Sequence, residues 1–97
     1  MAKGYWLGHV RVTDPEGYAR YRAANAAAFG KYGARFLVRG GAHEEVEGAQ
    51  GRTRHVVIEF PSYAAALACW HSPEYAAARA EREGAGDAYI TVVAGVD

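Results

Sequence analysis

Apolar residues along this chain switch between two periods, and a cap or turn signal marks each switch. Tyr5 to Val12 mixes aromatic and β-branched residues and predicts a first strand. Asp14-Pro15-Glu16 predicts a helix start, with Asp14 as cap, Pro15 at the first position and Glu16 at the positive dipole end. The inner stripe of that helix is Tyr18, Tyr21, Asn25, Ala28, Phe29 and Tyr32, and Gly33 closes it in a left-handed turn. Arg35 to Arg39 predicts a second strand. Gly40-Gly41 is expected to form a bulge before Glu44 to Glu47 resumes the pairing, with Gly48 to Gly51 as a hairpin loop. Thr53 to Phe60 predicts a third strand. Two short helices follow, the first capped by Ser62 and the second started by Ser72-Pro73. Gly84 to Asp87 reads as a turn before a fourth strand, Tyr89 to Ala94.

The order is βαββαβ with the second helix split in two. That is the α+β, ferredoxin-like plan with a four-stranded antiparallel sheet, in one domain spanning residues 1–97. Strand parity sorts the side chains by face. Trp6, Gly8, Val10 and Val12, Phe36 and Val38, Val56, Ile58 and Phe60, and Ile90, Val92 and Ala94 form an apolar set for the helices to cover. The opposite set is mixed: Tyr5, Leu7, His9 and Arg11, Arg35, Leu37 and Arg39, His55, Val57 and Glu59, and Tyr89, Thr91 and Val93. Helices on one side leave this mixed face open, and exposed apolar area of that extent predicts an interface. The simplest partner is a second copy of the chain, giving a homodimer.

Composition narrows the function classes. Lysine plus arginine and aspartate plus glutamate are 11 each, so no net field draws in nucleic acid or an anionic membrane. No apolar run approaches the roughly 20 residues that span a bilayer. The N-terminus lacks a secretory h-region and the single cysteine forms no internal disulfide, so a cytoplasmic protein is expected.

Several segments resemble one small bacterial family: Asp14-Pro15-Glu16, the Ala23 to Ala28 run around Asn25, Phe36 to Gly41, Val57 to Ser62, and Ser72-Pro73-Glu74-Tyr75. The family is the domain of unknown function numbered 1330, within the dimeric α/β barrel superfamily. The resemblance covers nearly the whole chain. It implies a protomer whose sheet packs on a partner's sheet to close a barrel, in agreement with the parity argument. The superfamily includes cofactor-independent monooxygenases, haem-degrading enzymes, a lactone isomerase and members without known activity, so the fold does not select a chemistry.

Two sets of residues are candidates for function. His9, His55 and Glu59 fall on the mixed face of the two central strands, where a carboxylate beside an imidazole suits proton transfer, and Arg39 is expected there to hold a carboxylate or enolate. The competing reading makes all four charge-paired residues of a dimer interface. Asn25, in an otherwise apolar stripe, needs a partner and is a candidate to hold a ligand carbonyl, or else a structural amide bonded to the fold. The resemblance adds Tyr75 and Arg82, with Arg79 between them, as residues folded over the pocket mouth; snorkelling arginines on an amphipathic helix are the alternative. Trp70-His71 differs from the haem degraders' pattern, in which a helical His is paired with a Trp and an Asn, and His71 is expected to be a solvated imidazole at a helix end. The four histidines show no metal-ligand spacing, and Cys69 is expected to be a small buried hydrophobe. These observations predict a small-molecule-binding protein needing no cofactor or metal, with a cofactor-independent enzyme on a small aromatic or carbonyl metabolite as its catalytic form. The alternative is a non-catalytic homodimeric binding or scaffold protein.

Overall fold

The computed structural model describes residues 2–48 and 51–97. Its elements are β1 (Gly4–Val12), α1 (Pro15–Lys31), β2 (Arg35–Arg39), β3 (Arg54–Phe60), α2 (Tyr63–Trp70), α3 (Pro73–Glu81) and β4 (Gly86–Ala94). The strands form one antiparallel sheet in the order β2-β3-β1-β4, the ferredoxin-like arrangement. No helix among the described residues is long and apolar enough to cross a membrane.

Each helix starts where its sequence signal stands. Asp14 Oδ1 accepts from the Glu16 N–H at 3.2 Å, Ser62 Oγ from Ala65 at 3.0 Å, and Ser72 Oγ from Tyr75 at 3.1 Å. These bonds satisfy amide donors that the first helical turn leaves without partners. After α1, Gly33 takes φ +72°, the left-handed conformation that lets the chain reverse into β2.

The helices cover one sheet face, and Trp6 is the centre of the core they make. Its ring meets Phe29, Phe60, Trp70 and Tyr75 with centroids 4.9–5.7 Å away, and its Nε1–H donates to the Ala66 carbonyl at 2.9 Å. The indole thereby ties β1 to both α1 and the α2–α3 pair while leaving no polar atom unpaired. Antiparallel α1 and α3 are joined at one end by Lys31–Glu74 at 2.8 Å and at the other by Arg20–Glu81 at 3.8 Å. Cys69 is buried as expected, and His71 is exposed at the end of α2.

Two expectations fail in the β2 region, and both bear on function. The bulge lies inside β2, not at Gly40-Gly41: Phe36 faces Ile58 while Val38, not Leu37, faces Val57. The inserted residue reverses parity beyond it. Leu37 and Val38 are left exposed, and Arg39 pairs with Val56, a residue of the helix-covered face. Arg39 therefore belongs to the other side of the sheet from the one that strict alternation assigns. Second, Glu44 to Glu47 forms no strand; residues 41–48 are exposed non-strand chain. The expected hairpin loop at Gly48 to Gly51 lies partly outside the described residues.

Candidate functional site

The sheet separates the two candidate sets. On the helix side, α1, α3 and the sheet enclose a cleft whose polar groups come from both helices and two strands. Tyr21 of α1 and Tyr75 of α3 bring their hydroxyls to 2.7 Å in the interior. Asn25, one turn beyond Tyr21 and only 4% exposed, reaches the same Tyr21 hydroxyl. Burial, and then the facing Tyr75 hydroxyl, pushes the Tyr21 phenol far above its ordinary pKa, so the Tyr21 ring stays neutral at physiological pH. Arg82 caps the end of α3 with its guanidinium 5.2 Å over the Tyr21 ring.

Two more arginines enter this cleft from the strands. Arg39, redirected by the bulge, lies 4.0 Å over the Phe36 ring, and Arg54 lies 5.5 Å over the Tyr18 ring. Gly40 accommodates Arg54: at φ +69° it has no side chain, and a Cβ there would stand 2.5 Å from the Arg54 guanidinium. The cleft contains two hollows of about 20 Å³ each, one against Asn25, Arg39 and Arg54, the other against Gly8, Tyr21 and Arg82. Each admits a water molecule, and both lie open at one side.

On the open face, His9 and His55 meet across the β1–β3 pair, with Nδ1 atoms 2.8 Å apart. One Nδ1 must carry the proton and the other accept it. Glu45 Oε1 lies 3.6 Å from His55 Nε2. The His43 ring packs edge-on at 4.6 Å from His55. A hollow of about 500 Å³, open to one side, lies between this cluster and residues 44–48, with Arg52 on its wall.

Glu59 does not join the histidines. It lies four residues along β3 from His55, about 13 Å at strand rise. There it is held among Tyr5 at 3.4 Å, Arg35 at 3.5 Å and Lys3 at 4.0 Å. The carboxylate beside His55 is Glu45 instead. Tyr75 is not at a pocket mouth either: it is 1% exposed and part of the core floor, while Arg82 does border the opening. Arg79 leaves the cleft to stack 4.9 Å over Trp70. Sequence reasoning missed Arg54 and Glu45; an arginine at an inward-facing strand position was the available signal for the first. Among the described residues no group of three His, Cys, Asp or Glu side chains is placed to hold a metal ion.

A ferredoxin-like domain with a polar cleft under its helices is the class this geometry defines. The solved structures it resembles share that fold at low identity. One is the RPA0582 protein of unknown function from Rhodopseudomonas palustris (22% identical, TM-score 0.74, covering 99% of this chain and 84% of the other). Another is SnoaB, a cofactor-independent oxygenase from Streptomyces nogalater (12%, TM-score 0.68, 100% and 96%). A third is a dimeric ferredoxin-like protein of unknown function from Thermobifida fusca (18%, TM-score 0.62, 96% and 91%). No curated protein matches the chain. Over residues 3–96 the sequence matches the model of the domain of unknown function DUF1330, and the chain belongs to that family.

Proposed function

We propose that this protein is a homodimeric small-molecule-binding protein whose site is the helix-side cleft, with Asn25, Arg39, Tyr75 and Arg82 as its binding residues. The observation that carries this reading is that Asn25 and Arg39 line one hollow between helices and sheet and Arg82 the adjoining one, with Tyr75 bonded to Tyr21, which lines both. A packed core has no need of arginines and an amide there, whereas a ligand site needs a few placed polar groups among apolar walls. Turnover of a small aromatic or carbonyl metabolite without a cofactor is the enzymatic form of the reading. The fold likeness to SnoaB is compatible with it and selects no reaction. Cytoplasmic residence fits a small-metabolite role.

The dimer is proposed to form through the open sheet face. Leu7, Leu37, Val38, Tyr89 and Val93 are exposed there, and Val38 is added to that face by the bulge. Sheet-to-sheet contact would bury them, and two of the similar folds are named as dimeric ferredoxin-like proteins, which supports a dimer. Nucleic acid and membrane are not expected partners.

A second reading has one observation in its favour. The open-face hollow is of ligand size, and its His9–His55 contact is built for proton transfer with Glu45, not Glu59, as the orienting carboxylate. In the scaffold alternative the same histidines line the dimer contact. A thermal-shift screen of carbonyl and aromatic metabolites against wild type, Arg39→Gln and His9→Ala separates these. The cleft reading expects stabilisation lost in Arg39→Gln and kept in His9→Ala. The reverse pattern assigns the site to the open face, and no shift from any compound favours the scaffold.

A further inference from the structure

The cleft has a charge imbalance that the chain as a whole does not. Arg22, Arg39 and Arg54 border one hollow together with Tyr18, Asn25 and Phe36, and no acidic residue lines it. Every aspartate and glutamate of the protein is among the described residues, yet none lies within 4 Å of these three guanidiniums as an ion-pair partner. Of the other eight arginines and lysines, Lys3, Arg11, Arg20, Lys31, Arg35 and Arg52 have carboxylate partners, while Arg79 and Arg82 lie over the Trp70 and Tyr21 rings. Arg54 Nε is also buried without any hydrogen-bond partner. A buried donor without a partner is a cost that a fold tolerates when something else satisfies it. Gly40 keeps the space beside that guanidinium open.

We infer that the cleft takes a carboxylate, with Arg39 and Arg54 as the charged donors and Asn25 as a neutral one. This rests on the cleft being the ligand site and names the chemical class of what it holds. An acceptor-only, negatively charged group matches a cavity wall that offers donors and no competing anion. Guanidinium forks bind carboxylate and phosphate alike. The phosphate arm of the titration below separates the two. Phe36 and Tyr18, each stacked under a guanidinium, offer apolar surface to the rest of the molecule.

The test is a titration of ¹⁵N-labelled protein at constant ionic strength, following the arginine Nε–H and Asn25 side-chain amide resonances. The probes are acetate and benzoate, their neutral counterparts acetamide and benzamide, and inorganic phosphate. The expected result is saturable shifts at Arg39, Arg54 and Asn25 with the carboxylates, and at least tenfold weaker binding of the amides. Arg39→Gln, a change at an exposed side chain that leaves folding intact, should weaken benzoate tenfold or more without lowering Tm. Amides binding as well as acids would overturn the carboxylate assignment while leaving the cleft as the ligand site. Phosphate binding more tightly than either acid would overturn it in favour of a phosphoryl ligand. No shift with any probe would overturn both this inference and the cleft reading.

Discussion

Changing Tyr75 to Phe removes one hydroxyl from the 2.7 Å pair that holds α1 against α3 and forms the cleft floor. The ring still packs on Trp6 and Phe29, so the change isolates the hydrogen bond from the apolar contact. Leaving a buried hydroxyl without its partner costs about 1–3 kcal/mol. Asn25 reaches the Tyr21 hydroxyl and offers a substitute, which places the expected loss in the lower part of that range, about 1–2 kcal/mol. For a domain of this size that corresponds to a Tm lowered by roughly 4–16 °C. Tyr21→Phe should cost a similar amount, because it leaves Tyr75 only Arg82 as a substitute partner. The double variant orphans neither and should lie near the milder single, giving a coupling energy of about 1–2 kcal/mol. Urea unfolding of the four proteins, followed by circular dichroism at one protomer concentration, measures this cycle. Additive losses from the two single changes would refute the claim that the hydroxyls are one buried unit, and with it this account of the cleft floor.

Three further outcomes are expected. Gly40→Ala places a side chain at φ +69° and against the Arg54 guanidinium, so it should cost about 1–2 kcal/mol and weaken benzoate binding. Gly33→Ala, at φ +72° but against Pro61 and lining neither hollow, should lose comparable stability and leave binding unchanged; equal loss of binding in both would contradict the role given to Gly40. Stability should fall as pH rises from about 9 upward, where the unfolded thiol and phenols begin to ionise. Burial and then Glu74 push the Cys69 thiol to about 12, while burial raises Tyr18 and Tyr21, so the native state keeps protons that the unfolded state loses. A pH titration of urea midpoints checks this, and Tyr21→Phe should flatten the decline. Val93→Asp puts a charge on the open sheet face and should convert a dimer to a folded monomer in sedimentation equilibrium; an unaltered dimer would place the interface elsewhere.

Local signals explain why most of the architecture was legible in the sequence. Asp14-Pro15, Ser62 and Ser72-Pro73 act within a few residues of themselves, so their caps could be read without knowledge of the fold. Parity worked for β1, β3 and β4, which are regular. It failed for β2 because one inserted residue at Leu37 exchanges the faces beyond it, and nothing in Phe36-Leu37-Val38 announces a bulge. That single displacement moved Arg39 from the histidine face to the cleft. The site itself depends on contacts between distant segments: Tyr21 meets Tyr75 across 54 positions, and Glu45 reaches His55 from chain that forms no strand. Periodicity brought Asn25 to notice as an amide in an apolar stripe, but it could not supply the partners that make a cleft around it.

A high-resolution crystal structure of the untreated protein tests the central claim most directly, through the difference density beside Asn25, Arg39, Tyr75 and Arg82. The account predicts ordered water or a bound small molecule contacting these side chains, with Arg39 on the helix side of the sheet. Guanidiniums turned out to solvent over a closed, dry cleft, with bound density beside His9 and His55 instead, would contradict it.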